Sequence, residues 1–291
     1  MQLTPEIEEY VRDHIRAVHD KLQAGEPVYE KDLEFIPRVR TWVTMPKNLR
    51  EKYKNVDDIY HESLEAKKRD ISLEQWLDLL HVAEAMGEEK EWIGDKFTFP
   101  GAGKIKTKET SLTLADSAQL TKLPDGLSVI WGLNIQRCPG LTKLPEGLSV
   151  GKDLNIVHCT GLTELPKGLF VDSDLVLQRC TGLTRIPEDI KVGGAMYLIE
   201  CTGLTELPEG LLTGWGLDLY GCTGLTELPK KVSVGGDLNL KNCTGLTELP
   251  IDLYVGGNLF LSPNLNERVK EQAEILRSKG NIEGGEVKYE K

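Results

Sequence analysis

Residues 237–259 read DLNLKNCTGLTELPIDLYVGGNL, and closely similar strings precede them at steps of 21 residues. Six cysteines mark the period, at positions 138, 159, 180, 201, 222 and 243. One column holds Leu112, Leu133, Leu154, Leu175, Met196, Leu217, Leu238 and Leu259; two residues further on stand Leu114, Ile135, Ile156, Leu177, Leu198, Leu219, Leu240 and Leu261. The cysteine column opens with Ser117 and closes with Asn264, exchanges that mark the outer coils.

A repeat this regular means that each unit is one coil that is unable to bury its apolar side alone, so that stacked neighbours build a continuous core. The L-x-L pair reads as a short strand with both leucines inward and the residue between them outward. Stacking then lines up one strand per coil into a parallel sheet. In the third coil Leu162 and Leu165 flank a Thr-Glu pair, and Pro166 removes a backbone donor there, which favours an extended path over helix. Leu169 and Val171 give a second two-residue alternation, and the Gly-Gly pairs at 193, 235 and 256 supply a turn back into the next strand.

These residues resemble the leucine-rich repeats. Leu238-x-Leu240-x-x-Cys243-x-x-Leu246 is similar to the core motif of that family, and Leu246-Thr-Glu-Leu249-Pro250 resembles its short bacterial form. The likeness covers about residues 110–265. It implies an α+β chain: a solenoid of about eight coils with little helix on its back, whose strand wall binds other proteins. Coils of 21 residues are among the shortest in that family, and a polar residue or glycine stands where a further leucine is usual.

Outside the repeat the pattern changes. Residues 1–109 are expected to form a helical N-terminal domain and cap. A first helix starts at Thr4-Pro5 and carries Ile7, Val11, Ile15, Val18 and Leu22 up to Gly25; a second runs from about Val56 to Arg69; a third follows the Ser72-x-x-Gln75 capping box to Gly87. Phe97 to Lys108 alternates and reads as a strand or hairpin leading into the first coil. At the far end, residues 266–291 read as a helix capped by Asn266 that covers the last coil, followed by a loose tail from Asn281.

Composition narrows the function. Of 291 residues 40% are hydrophobic and 28% charged, an ordinary globular balance. With 35 basic against 46 acidic residues the net charge is −11, and no concentrated basic patch offsets it, which argues against nucleic acid or anionic lipid as partner. No stretch approaches the ~20 apolar residues of a membrane span, and Met1 to Val11 lacks the pattern of a secretion signal. The expected setting is the cytoplasm, or another reducing compartment reached without a classical signal.

Chemistry is mostly absent from the sequence. The column formed by Cys138, Cys159, Cys180, Cys201, Cys222 and Cys243 reads as inward, structural filler with a weak donor. Neighbouring coils set Cα atoms about 4.8 Å apart, inside the disulfide window, but parallel Cβ vectors oppose the S–S torsion; zinc wants four ligands around a point rather than along a line. The five histidines show no ligand spacing, and Gly101-Ala-Gly103-Lys104 lacks the spacing of a phosphate loop. No catalytic residue, metal or cofactor is expected.

What remains is the outward face of the strands. Val157, Val176, Tyr197, Ile199 and Tyr220 fall on adjacent strands, rimmed by Arg137, His158, Arg179 and Asp218. Tyrosines inside a polar rim are how interfaces concentrate binding energy, although exposed tyrosine and valine also simply suit a strand surface. The reading is a monomeric, non-enzymatic protein-binding module. Two alternatives stand beside it: an effector or enzymatic unit within residues 1–109 that the repeats target, and a purely structural, self-associating scaffold.

Overall fold

Alternating inward leucines, a proline that forbids helix and a glycine where one coil touches the next leave the chain one compact solution, a parallel β-solenoid of about seven turns with 21-residue spacing. The computed structural model describes the backbone of residues 56–290 and side chains from 62 onward. The helix expected from Thr4 to Gly25 lies outside the described residues.

Among the described residues three helices come first, α1 (Val56–Lys68), α2 (Leu73–Ala85) and α3 (Glu91–Lys96), then β1 (Phe97–Gly101) and β2 (Lys104–Thr107). The solenoid follows as β3 (Leu112–Ala115), β4 (Leu127–Val129), β5 (Leu133–Gln136), β6 (Ser149–Val150), β7 (Leu154–Val157), β8 (Phe170–Val171), β9 (Leu175–Gln178) and β10 (Lys191–Val192). It continues through β11 (Met196–Tyr197), β12 (Leu212–Thr213), β13 (Leu217–Asp218), β14 (Ser233–Val234), β15 (Leu238–Asn239), β16 (Tyr254–Val255) and β17 (Leu259–Leu261). Helix α4 (Glu267–Ser278) and strand β18 (Val287–Tyr289) close the chain. Eight odd-numbered strands from β3 to β17 enclose seven even-numbered returns, which is why eight leucine pairs make about seven turns.

The odd strands form one nine-stranded parallel front sheet from β3 to β17, with β18 at its edge. Register is uniform: Leu133 pairs with Leu112 and Leu154, and the step of one coil repeats to Leu259. The even strands form the back, and there the pairing is interrupted. One sheet runs β1-β2-β4-β6-β8-β10 and a separate one runs β12-β14-β16. Between front and back the leucine columns are buried, and so is every cysteine, each as a free thiol. On the third side, where Thr-Glu-Leu-Pro turns the coil, bridges join Lys143 to Glu164, Arg185 to Glu206 and Glu227 to Glu248.

Stacking explains the invariant glycine after Cys-Thr. A β-carbon at Gly203 would overlap the Thr181 carbonyl oxygen of the coil before, and one at Gly182 or Gly224 would stand 2.5 Å from the matching oxygens of Thr160 and Thr202. Only glycine lets the coils approach this closely.

The chain divides into two compact units, Met1–Leu77 with Phe99–Gly103, and Asp78–Thr98 with Lys104–Lys291. Within the first unit the capping box is present: Gln75 N–H donates to Ser72 Oγ at 3.0 Å and Ser72 N–H to Gln75 Oε1 at 2.9 Å. Trp76 is fully buried and donates to Glu62 at 2.6 Å, while the Arg69 guanidinium lies 4.4 Å from its ring centroid. Lys68 and Arg69 hydrogen-bond Glu65 and hold its carboxyl down at about 2.

In the second unit Asn266 caps α4, its side chain accepting from Arg268 N–H at 2.9 Å, and Val269, Ala273 and Leu276 are buried. The tail beyond it, expected to be loose, is ordered. Val255 donates to the Asn281 carbonyl, Ile282 bridges Val255, and Val287–Tyr289 pairs in parallel with β17. In about ten residues this tail imitates one more coil and covers the front sheet's last edge, the hazard that an unpaired strand presents.

Candidate functional site

The front sheet presents two outward columns of side chains. The first runs Thr113, Asn134, Asn155, Val176, Tyr197, Asp218, Asn239 and Phe260; the second runs Ala115, Gln136, Val157, Gln178, Ile199, Tyr220 and Lys241. Val176 and Tyr197 are register partners. Ile199 and Tyr220 succeed one another in the second column, whereas Val157 is paired with Gln178 and so stands at the cluster's margin. All five are half-buried. Their exposed faces are thus available without being loose, because each backbone is fixed by a neighbour on both sides.

Each front strand from β3 to β15 then ends on a left-handed residue that turns the chain toward the cysteine column. The column is Asp116, Arg137, His158, Arg179, Glu200, Gly221 and Asn242, with φ between 52 and 71°. Sequence reasoning missed this conformation, although Asp, Gly and Asn at three of its seven places were the available signal. Because the residues are consecutive coils apart, their side chains meet. Arg137 is paired with Asp116 and Arg179 with Glu200, and Arg179 also contacts His158 Nε2 at 3.3 Å. The guanidiniums hydrogen-bond Asp116 and Glu200 and hold both carboxyls below their ordinary range. The rim cations expected to face a partner therefore already have partners of their own.

Asp218 of the rim and Tyr220 of the cluster are similarly tied. Asp218 Oδ1 accepts from Tyr220 N–H at 2.9 Å, and the Tyr220 hydroxyl accepts from Asn242 Nδ2 at 2.9 Å. On the strands' leading edge, Asp153 and Asp174 accept from the backbone N–H of Asp174 and Ala195, which makes them structural pegs between coils. Phe260, which the sequence reading left out, extends the wall, with Lys288 of β18 5.3 Å from its ring centroid.

The cysteines face the other way. Each Sγ lies beneath the carbonyl of the second inward residue one coil before: Cys201 reaches Leu177 O at 2.9 Å, Cys222 reaches Leu198 O at 2.9 Å and Cys243 reaches Leu219 O at 3.0 Å. Burial pushes the Cys201 thiol up to about 11 and those of Cys180 and Cys243 up to about 12. Thiols held neutral in this way are poor nucleophiles. Among the described residues no three His, Cys, Asp or Glu side chains converge as a metal site would require, and no helix is long and apolar enough to cross a membrane.

A concavity lies away from the strand wall. It is an open groove of about 860 Å³ on the Thr-Glu-Leu-Pro side, with Pro166 and Pro208 buried in its floor and Glu164, Arg185 and Glu206 on its rim. No protein family, curated protein or solved structure matches the chain.

Proposed function

We propose that the protein is a non-catalytic protein-binding module of leucine-rich-repeat type, and that it binds through its front sheet. The observation that carries the reading is the cluster of Val176, Tyr197, Ile199 and Tyr220: apolar and aromatic side chains in register on a continuous nine-stranded sheet. Rigid aromatic anchors lose little conformational entropy on binding, and a parallel sheet fixes their spacing before the partner arrives. The ion pairs of Arg137 with Asp116 and of Arg179 with Glu200 border the cluster without offering unpaired charge, which supports an apolar contact in preference to an electrostatic one. The buried, free thiols support a reducing compartment, the cytoplasm or another reached by export.

Photocrosslinking tests it. A photoreactive phenylalanine analogue in place of Tyr197 should trap a protein partner in cytosolic extract, and the same analogue at exposed Lys167 on the opposite side should not. Adducts at Lys167 with none at Tyr197 would overturn the assignment.

A further inference from the structure

The strands of the solenoid pair in one unbroken sheet in front and in a divided one behind. On the back, Lys191 and Gly193 donate to Leu169 and Val171 at 2.9 and 3.0 Å, and Gly194 donates to Ser173 at 2.8 Å. Two coils later the same three rungs recur, from Ser233, Gly235 and Gly236 to Leu211, Thr213 and Trp215 at 2.9, 2.9 and 3.0 Å. In the coil between, the corresponding N–H groups of Leu212, Gly214 and Trp215 make none of the three bonds to Ile190, Val192 and Gly194 and the back sheet is divided there, whereas the β6–β8 joint keeps its strand pairing and the Ser173 to Lys152 rung at 3.2 Å.

Three further observations fall at the same place. A β-carbon at Gly193, Gly235 or Gly256 would overlap the backbone of the preceding coil, but at Gly214 it would sit 3.3 Å from the Gly193 carbonyl oxygen, so the coils stand farther apart there. Ile190 and Val192 are half-buried, where their counterparts Leu169, Val171, Val232 and Val234 are buried. An open cavity of about 330 Å³ lies at the gap, bordered by Phe170, Ile190, Val192 and Leu212. Leu212 and Trp215 beside it are 71% and 69% exposed.

On the other two sides the same pair of coils is closed. Arg179 donates to Ile199 O at 2.9 Å, the Cys201 thiol to Leu177 O at 2.9 Å and Thr205 N–H to Thr184 O at 2.9 Å, and Gly203 is packed hard on Thr181. The sequence departs from its own repeat at the seam: Thr213 replaces the inward valine and turns its hydroxyl to the Trp215 carbonyl at 3.1 Å, and Trp215 stands where the coils on either side have glycine.

We infer that the solenoid is two stacks hinged between the β9–β10 and β11–β12 coils, with the pivot in the front sheet and the free travel on the back. A parting of about 1 Å at the end of a lever about 10 Å long, the separation of facing sheets, is a tilt of about 6°. The pivot passes between Val176 and Tyr197, so the hinge sets the curvature of the wall across the central cluster. That consequence for a partner rests on the binding reading above; the hinge itself does not.

Site-resolved amide hydrogen exchange on the full chain tests it. The N–H groups of Leu212, Gly214 and Trp215 should exchange at least about tenfold faster than those of Ser233, Gly235 and Gly236, because they lack a protecting rung. The double substitution Thr213→Val, Trp215→Gly, which restores the repeat's own residues, should slow Leu212 and Gly214 to the rate of Ser233 and Gly235. Equal rates in the unaltered chain would overturn the hinge. A folded variant whose Leu212 and Gly214 still exchange fast would overturn the assignment of the gap to these two side chains. Both readouts are made without a partner, so neither outcome depends on whether the strand wall binds one.

Discussion

The coils from β3 to β10 and those from β11 to β16 share leucine columns and period, yet they stack differently. Front strands span four residues in the first group and two in the second. The thiol-to-carbonyl distance is 3.9, 3.8 and 3.5 Å for Cys138, Cys159 and Cys180, against 2.9, 2.9 and 3.0 Å for Cys201, Cys222 and Cys243. The boundary between the two geometries is the seam on the back. A repeat sequence thus specifies the coil closely and the joint between coils less closely, because each joint depends on the few side chains that touch across it.

The largest effect expected from this difference is at the back glycines. Gly235→Ala drives a methyl group into the Gly214 backbone and should cost about 2–3 kcal/mol, whereas Gly214→Ala meets an opened joint and should stay within about 1 kcal/mol. Denaturant midpoints of the two variants measure it, and equal losses would erase the distinction. Next come the thiols. Cys222→Ala removes a short hydrogen bond to Leu198 O at 2.9 Å, whereas Cys159→Ala removes only long ones, to Ile135 O at 3.8 Å and Val157 O at 3.7 Å, so the first should be the more destabilising by about 0.5–1.5 kcal/mol. Unfolding curves of the pair decide it.

Alkali should act on thiols of both groups. Folding raises the Cys180, Cys201 and Cys243 thiols from an ordinary value of 9.0 to between about 11 and 12. The unfolded chain then releases protons that the folded chain keeps. The thiol contribution is complete below pH 9.0 and is lost as pH rises through the folded values, so melting temperature should fall steadily above pH 9. A serine or alanine column would lose the thiol part of that slope and keep the part due to Tyr254 and Tyr289, whose hydroxyls are also raised. The smallest effect belongs to the exposed ladder: Arg179→Gln should leave the melting temperature unchanged at physiological salt, since exposed ion pairs contribute little.

Most of this architecture was legible in the sequence. The inward leucines, the buried thiols, the Ser72–Gln75 box and the Asn266 cap follow from residue type and spacing. The seam did not, because the inward front columns run through it with only Met196 exchanged, and on the back the departures from the neighbouring coils are Thr213 and Trp215. Nor did the tail strand: Val287-Lys-Tyr289 carries no L-x-L signature, and its pairing is a tertiary contact with β17. The candidate site was legible as a set of outward residues. Its internal order was not, since the ladder of Asp116, Arg137, Arg179 and Glu200 depends on a left-handed backbone that no single coil announces.

The most direct measurement is affinity capture from cytosolic extract with three baits: the full chain, the full chain carrying Tyr197→Ala and Tyr220→Ala, and residues 1–109. The account predicts a protein partner retained by the first bait and lost from the second, with the melting temperature of the second unchanged. A partner held equally by the tyrosine variant, or following residues 1–109, would contradict it and move the function off the strand wall.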